Sequence, residues 1–455
     1  MKQMSLENIA AACSGIYVGP EEAKHIEVTG VTSDSRQVEE GFLFAALKGE
    51  RVDGHKFVPQ TFEKGAVCVL VEDAPENPAG PYIQVESCFQ AMKDIAEYYR
   101  KTLSIPVVGI VGSVGKTSTK EMVASVLEQK YKVLKTQGNF NNELGLPLTV
   151  FRIREEHEVA VLEMGISDFG EMHRLSKIAR PDICVMTNIG TCHLENLKDR
   201  DGVLQAKSEV FDFATEGCIA CLNGDDDKLI TLKNKEGIRP CFFGKEAENN
   251  IYAENIENMG LDGIACDICA PEGRVRVMIP IPGMHMVYNA LAGAAAGLAL
   301  GLSLSEIKAG IEALKPTGGR NNILHTADYT IIDDCYNANP VSMRASLDVL
   351  KFALGRKVAL LGDMGELGEN EVQLHYEVGV HAGENKIDLV VCTGVLSEHM
   401  AKGAKEAGAV NVLHYPDRAT LLAELPKILE PQDTVLVKAS HFMGFEHVVE
   451  ELKTL

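Results

Sequence analysis

The stretch VVGIVGSVGKTSTK, residues 107–120, decides how the chain folds. An apolar run, VVGIV, gives way to a glycine turn, GSVGK, and then to TSTKEMVASVLEQK, where Met122, Val123, Val126 and Leu127 recur at helical spacing. Strand, tight loop and helix in that order belong to a parallel α/β unit, and a helix that opens directly after a glycine turn aims its free amides at an anion. The generic phosphate loop has a glycine five residues before the glycine of GKT. Ile110 stands there, so the pattern resembles that motif without matching it. Two readings follow. In one, Lys116 meets outer phosphate oxygens of a nucleotide and Thr117 ligates magnesium; in the other, the stretch is a glycine-rich turn capped by Thr117 with Lys116 in solvent.

Further apolar strands follow, each ending in polar residues: VAVLEMG (159–165), ICVMTNIG (183–190) and IACLNGDD (219–226). Uninterrupted apolar strands between helices imply a sheet covered on both faces, and ligands gather beyond the carboxyl ends of such strands. Glu163 is a candidate magnesium ligand there or a satisfied strand end. His193 and Lys207, taken alone, read as packing or surface residues, since an ammonium does not ligate a metal. GNFNNELGLPLT (138–149) groups Asn139, Asn141 and Asn142, which either fix turns through their own backbone or present donors and acceptors to a polar substrate. NGDDD (223–227) reads as a solvated acidic turn.

Before this region lie short strands and turns, IEVTGVTSDSR, GFLFAALKGERVDGHKF, GAVCVLV and PYIQV. The helical pattern SCFQAMKDIAEYYRKTL follows, striped by Phe89, Met92, Ile95, Ala96 and Tyr99, and then a linker, LSIP. After it, a small-residue helix from about 288 to 300 and the turn PTGGRNN (316–322) lead into TIIDDCYNANP, KVALLGDMGELG, IDLVVCTG and TVLVKAS, a second α/β rhythm. At roughly 150 residues per domain, 455 residues predict about three. The expected class is α/β with three domains: 1–104, 105–317 around a P-loop-type, mostly parallel sheet, and a Rossmann-like 318–455.

A net charge of −21 disfavours a broad surface for nucleic acid or anionic membrane. ALAGAAAGLALGLSL (290–304) is too short for a convincing membrane span, and MKQMSLENIAAACSG lacks the apolar core of a signal peptide, so a cytoplasmic protein is expected. Of twelve cysteines, CIAC (218–221) and CDIC (266–269) have zinc-like spacing. Both fall in β-like runs, where residues three apart face opposite ways, so free thiols are expected.

The ordered set TSDSR (32–36), DGHKF (53–57), GSVGKTSTK, TQGNFNNELGLPLT, EMG (163–165), RPDICVMTNIGTCHLE (180–195), AKSE (206–209), GR (319–320), DDCYNANPVS (334–342) and LGDMGELG (361–368) resembles the ATP-dependent Mur ligase family of cell-wall precursor synthesis along essentially the whole chain. The GNFNN, YNANP and GDMGELG blocks point to the branch that joins D-alanyl-D-alanine to UDP-N-acetylmuramoyl-tripeptide. The resemblance implies ATP bound through Gly112, Ser113, Gly115, Lys116, Thr117 and Ser118, with Asn289, Arg320, Asp334 and Asn337 nearby. It implies magnesium at Thr117, Glu163, His193 and a carbamylated Lys207, and catalysis by Lys116, Glu163, His193, Lys207 and Arg320. The UDP precursor would meet Ser35, Arg36, Asp53, Gly54 and His55, and Asn139, Asn141 and Asn142 would face substrate. No obligate protein partner is implied. The family's KGSR-like segment reads KASHFMGFE here (438–446), with His441 for arginine, and Cys192 stands where alanine is usual. Another Mur-type amino-acid ligase, folylpolyglutamate synthase and a nucleotide-dependent interaction module are the alternatives.

Overall fold

The computed structural model describes residues 1–49 and 52–455; Glu50 and Arg51, within GFLFAALKGERVDGHKF, lie outside the described residues. Three sheets succeed one another along the chain. The first contains β1 (Ile16–Val18), β2 (Gly30–Thr32), β3 (Phe42–Ala45), β4 (Cys68–Val71) and β5 (Tyr82–Gln84) in the order β1-β5-β4-β3-β2, antiparallel only at β1–β5.

The central sheet has nine strands: β6 (Val107–Val111), β7 (Val133–Lys135), β8 (Val159–Glu163), β9 (Ile183–Met186), β10 (Cys218–Asn223), β11 (Ile238–Gly244), β12 (Ile251–Asn258), β13 (Ile264–Ala270) and β14 (Gly273–Ile279). They are ordered β14-β13-β12-β11-β10-β9-β6-β8-β7, parallel from β12 to β7 and closed at the other edge by antiparallel β13 and β14. Every residue of β6, β8 and β9 is buried, as a sheet with two covered faces requires. The third sheet, β15 (Asn322–His325), β16 (Thr330–Asp333), β17 (Lys357–Gly362), β18 (Leu389–Thr393), β19 (Val412–Tyr415) and β20 (Thr434–Lys438), runs β15-β16-β20-β17-β18-β19 and is parallel except for β15.

Ile110 lies on β6, fully buried and paired to Glu163 on β8 and Val185 on β9. The strand therefore runs on through the position where the generic motif already turns, and the loop starts only at Gly112. A Cβ on Gly112 would collide with Thr187 Oγ1, and Gly115, at φ +81°, takes the left-handed turn into the helix Lys116–Leu127.

That helix buries Met122, Val123, Val126 and Leu127 completely. It packs on the small-residue helix, which starts slightly before its expected position, at His285, and ends at Ala299. Close approach explains the composition: a Cβ on Gly293 or Gly297 would lie within 3.1 or 3.0 Å of Met122 and Val126 side-chain carbons.

The helix Cys88–Thr102 is capped by Ser87, whose side chain accepts from Gln90 N, and its last turn carries Arg100 and Lys101. Its buried face includes Met92, Ile95, Ala96 and Tyr99, but Phe89 is turned out and lies 4.7 Å from Lys93 Nζ; Cys88 and Ala91 take its place. This face enters a single apolar core shared with the central unit, against helices Gly145–Val150 and Glu171–Ala179. The cysteine pairs sit on strands. Cys218 and Cys221 of β10 enter the cores on opposite faces of the sheet, and Cys218 Sγ lies 3.6 Å from Cys184 Sγ as a free thiol.

Candidate active site

Strands β6, β8 and β9 end side by side, so their terminal residues converge on the phosphate loop. Ser113 N donates to Asn188 O at 3.1 Å and Val114 N to Asn188 Oδ1 at 3.0 Å, while Asn188 Nδ2 and Thr187 Oγ1 both donate to Val114 O at 2.9 Å. Gly190 N donates to Ser113 Oγ at 2.9 Å. The loop is thus clamped by the TNIG segment, whose residues sequence reasoning passed over individually; their position at the end of an apolar strand was the available signal.

No side chain caps the helix that opens at Lys116, so its first amides face the cleft free to meet an anion. Lys116 Nζ donates to Gly112 O at 2.9 Å, which holds it over the loop. Ser118 lines the same cleft.

Glu163, at the end of β8, is 2% exposed. Its backbone N donates to Thr136 Oγ1 at 3.0 Å, and Oε1 accepts from Thr117 Oγ1 at 3.2 Å and Asn141 Nδ2 at 2.8 Å. Oε2 is buried without a partner. A buried carboxylate oxygen left unpaired is costly, and beside a hydroxyl it fits a hard cation. Among the described residues no three acidic, histidine or cysteine side chains close a protein-only metal cage.

Lys207 is 1% exposed; burial, reinforced by the Lys116 charge, lowers its ammonium to about 8. His193 adopts a left-handed backbone, φ +52°, and burial, then Lys207, holds its imidazole below the ordinary value.

Across the cleft stands the third unit. Arg320 lies over the Tyr336 ring at 4.2 Å, and Tyr336 packs on His441 at 5.5 Å, so the histidine that replaces arginine belongs to a stack. Asp334 Oδ2 accepts from buried Lys438 Nζ at 2.6 Å and from Ser346 Oγ, and its Oδ1 accepts from Asn321 N at 3.2 Å. Asn337 Oδ1 accepts from Ala338 N at 2.9 Å. Asn289 Oδ1 accepts from Thr119 Oγ1 at 2.9 Å, tying two helices together at the cleft floor. The acidic turn is a knot: Asp225 accepts from Lys245 N, Asn249 Nδ2 and Tyr288 Oη, and Asp226 accepts from Ile189 N.

The cleft between these walls holds about 540 Å³ and is lined by the phosphate loop, Asn139, Asn141, Glu163, Asn289, Arg320, Asp334 and Asn337. Asn142 turns away, its Oδ1 accepting from Gly145 N at 2.8 Å. In the first unit, Lys64 Nζ donates to Ser35 O and Arg36 pairs with Asp34 in two parallel contacts of 2.9 and 2.8 Å. Glu72 N donates to His55 Nε2, so His55 Nδ1 carries the proton and donates to Asp53 Oδ1 at 2.7 Å. Gly54 admits no Cβ, which would come within 2.8 Å of Leu47 O.

Three family models account for most of the chain: the Mur ligase family catalytic domain over residues 27–107, the Mur ligase middle domain over 110–297 and the Mur ligase glutamate ligase domain over 319–441. The chain belongs to the Mur ligase family. As a Mur ligase it is an ATP-dependent enzyme that forms amide bonds. It is 37% identical to the UDP-N-acetylmuramoyl-tripeptide--D-alanyl-D-alanine ligase of Bacillus subtilis, with 99% of each chain covered. Among solved structures, MurF from Acinetobacter baumannii superposes with a TM-score of 0.91 at 32% identity and 99% coverage of both chains. MurF ligase from Thermotoga maritima in complex with ADP gives 0.83 at 29% identity, covering 93% of this chain and 97% of that one. This Mur ligase thus shares the three-unit α/β architecture of a nucleotide-bound relative. Among the described residues no helix is long and apolar enough to cross a membrane.

Proposed function

We propose that this Mur ligase joins D-alanyl-D-alanine to UDP-N-acetylmuramoyl-tripeptide in the cytoplasm, releasing ADP and phosphate, as a step in peptidoglycan precursor synthesis. The observation that carries the reading is the pairing of an open phosphate loop with Glu163, whose carboxylate is tied to Thr117 and left with one unpartnered oxygen, inside a cleft walled by a second α/β unit. A carboxylate has no adequate leaving group, so the tripeptide's terminal carboxylate takes the γ-phosphoryl group of ATP and becomes an acyl phosphate. The acceptor amine attacks that carbonyl, and the tetrahedral intermediate expels phosphate to leave the amide.

The protein's share is to bind and hold. Lys116 moves from the loop carbonyls onto the outer phosphate oxygens, and the free amides at the start of its helix take the charge beside it. Arg320, held flat by Tyr336, presents a further cation to the oxygens that gain charge. Thr117 and Glu163 would hold magnesium, which would supply charge neutralisation when bound. Lys207, lowered to about 8, keeps a share of free amine that carbon dioxide could convert to a carbamate with loss of a proton, which would replace the ammonium by an oxygen donor. No protein nucleophile is needed. The third unit excludes water, because escaped acyl phosphate hydrolyses. The Ser35–Arg36 turn and the Asp53–His55 strut form the shelf for the UDP end.

The test is phosphate release by purified protein with a panel of nucleotide-peptide donors and amine acceptors, with mass detection of the product. The tripeptide precursor with D-alanyl-D-alanine should give stoichiometric ADP, phosphate and pentapeptide product. Turnover only with the dipeptide precursor and a diamino acid assigns the chain to another Mur branch. Carbon-13 bicarbonate should label a carbamate signal that Lys207→Arg abolishes.

A further inference from the structure

Arg320 lines the cleft without being tied to it. Arg100, Arg174 and Arg200 each spend guanidinium nitrogens on carbonyls or carboxylates of the protein. Among the described residues the Arg320 guanidinium has no hydrogen-bond or ion-pair partner; it has a ring, with its central carbon 4.2 Å from the centroid of Tyr336. Stacking leaves the N–H groups free for an oxyanion. It also makes the aim of the guanidinium only as good as the aim of the ring.

Tyr336 is fixed at its backbone. Its N donates to Gly319 O at 3.0 Å, and Gly319 N donates to Asp333 Oδ2 at 2.9 Å, which laces the turn carrying Arg320 to the end of β16. Neither bond orients the phenol ring. The imidazole of His441 lies against that ring, with centroids 5.5 Å apart and planes tilted by 31°, inside the range in which aromatic pairs attract.

His441 itself stands on a braced segment. Ser440 Oγ donates to Ala338 O at 3.2 Å and accepts from Gly365 N at 2.9 Å, and Met443 N donates to Ser440 O at 2.9 Å. Arg418 Nη1 donates to Met443 O at 2.9 Å and Gly444 O at 2.7 Å. The side chain of His441 is exposed, so it fills no core, and among the described residues neither ring nitrogen has a hydrogen-bond partner. What it offers its neighbours is a flat surface. The arginine of the family's KGSR-like segment is also flat and able to stack on tyrosine, so the change to histidine keeps the plane and gives up the permanent charge.

We infer that His441 is a positioning residue for amide formation: stacked on Tyr336, it steadies the ring on which the Arg320 guanidinium rests and so keeps Arg320 aimed at the phosphate oxygens. This rests on the reading above that Arg320 meets the oxygens that gain charge. Tyr336 and Arg320 line the cleft, whereas His441 stands behind them, so its loss should appear in kcat and not in the binding of any one substrate.

The test measures kcat and the KM values for ATP, donor and acceptor in the phosphate-release assay, with whichever donor and acceptor the panel shows to turn over. Wild type is compared with His441→Ala, His441→Phe, Arg320→Ala and the double variant. His441→Ala should lower kcat about fivefold, the scale of one aromatic contact, with every KM within about twofold. Its melting temperature should stay within about 2 °C of wild type, since the side chain is exposed. His441→Phe keeps a flat ring and should return kcat to within about twofold of wild type. Arg320→Ala should cut kcat about a hundredfold, and on that background His441→Ala should cost less than about twofold more. A kcat for His441→Ala within about twofold of wild type overturns the inference. So does His441→Phe no better than His441→Ala, which would mark a polar role for the imidazole, and so does an undiminished loss on the Arg320→Ala background, which would mark an effect that bypasses Arg320. Wild-type turnover in Arg320→Ala overturns the role given to Arg320 above and this inference with it.

Discussion

Between the first and second sheets, Met92, Ile95, Ala96 and Tyr99 enter the same apolar core as Leu146, Val150, Phe151 and Leu175. Between the second and third sheets stand Lys116, Glu163, Arg320, Asp334 and Tyr336 around a cleft of about 540 Å³. The first joint is dry, and its polar groups serve as pins: Tyr99 Oη donates to Ile153 O at 2.7 Å, and buried Arg100 donates to Ala179 O, Arg180 O and Asp182 Oδ2. The second joint is a polar cleft open to solvent, a wet joint, in which two buried oxygens, Glu163 Oε2 and Asn321 Oδ1, have no partner. Burial of apolar surface fixes geometry, whereas unsatisfied polar surface waits for something to bind. The first two units are therefore joined through a continuous apolar core, whereas the third meets them across a cleft.

Substitutions at the two joints should separate stability from turnover. The largest effect is expected at the wet joint: Lys116→Ala should cut product-coupled phosphate release by about a thousandfold or more, with Tm unchanged within about 2 °C. Unchanged ADP release coupled to product would sink its assigned role. At the dry joint, Arg100→Met takes the donor from the Ala179, Arg180 and Leu103 carbonyls and the cation from Asp182, and should cost about 3 kcal/mol in denaturant unfolding. Its turnover at 25 °C should stay within about twofold of wild type. If Arg100→Met and Lys116→Ala each lost both properties equally, the two joints would not differ in kind.

A smaller effect is expected beneath the cleft. Lys120, 1% exposed, donates to Thr136 O at 2.8 Å, and Thr136 Oγ1 accepts the backbone amide of Glu163. Lys120→Met should raise the magnesium concentration giving half-maximal rate by about tenfold, while Lys120→Arg should recover part of it. A lower kcat with an unchanged magnesium requirement would refute that positioning role.

The smallest effect is in pH. Desolvation holds the half-buried His285 imidazole below its ordinary value of 6.5, and its Nε2 meets Asn321 Nδ2 at 3.2 Å where the second unit joins the third. Nδ1, then, carries the proton of the neutral ring if Asn321 donates. Because the folded value lies lower, the unfolded chain binds the proton first as pH falls. The contribution is complete above about 6.5 and is lost below it, at no more than about 1.4 kcal/mol per pH unit. Asp334 and Lys438 also face this ring. Thermal scans from pH 7.5 to 5 should show a shallower decline for His285→Gln than for wild type; parallel curves would remove His285 from the account.

Much of this was legible in the sequence because it depends on local pattern. The apolar runs ending at Glu163 and Thr187 announce a parallel sheet and its ligand edge, and CIAC on a strand announces thiols on opposite faces. Ile110 looked like a defect only because sequence does not show where β6 stops. Phe89 was misplaced for a different reason: a helical stripe at the start of a helix does not reveal which end reaches the core. Residues that act across long separations were out of reach. Thr136 meets Glu163 27 positions away, Asn188 clamps Val114 74 positions away, and Glu366 approaches His193 from another domain. Nothing in local spacing encodes such meetings. The role of Lys207 came from family resemblance, and only its burial supplies the physical reason an amine there can be free at neutral pH.

The helix His285–Ala299 has a mechanical consequence. With Gly293 and Gly297 pressed against Met122 and Val126, and Gly310 against the Val126 backbone, the phosphate-loop helix has no slack behind it. It works as an anvil: whatever presses on the loop from the cleft side meets a stiff backing, because a close-packed interior yields little.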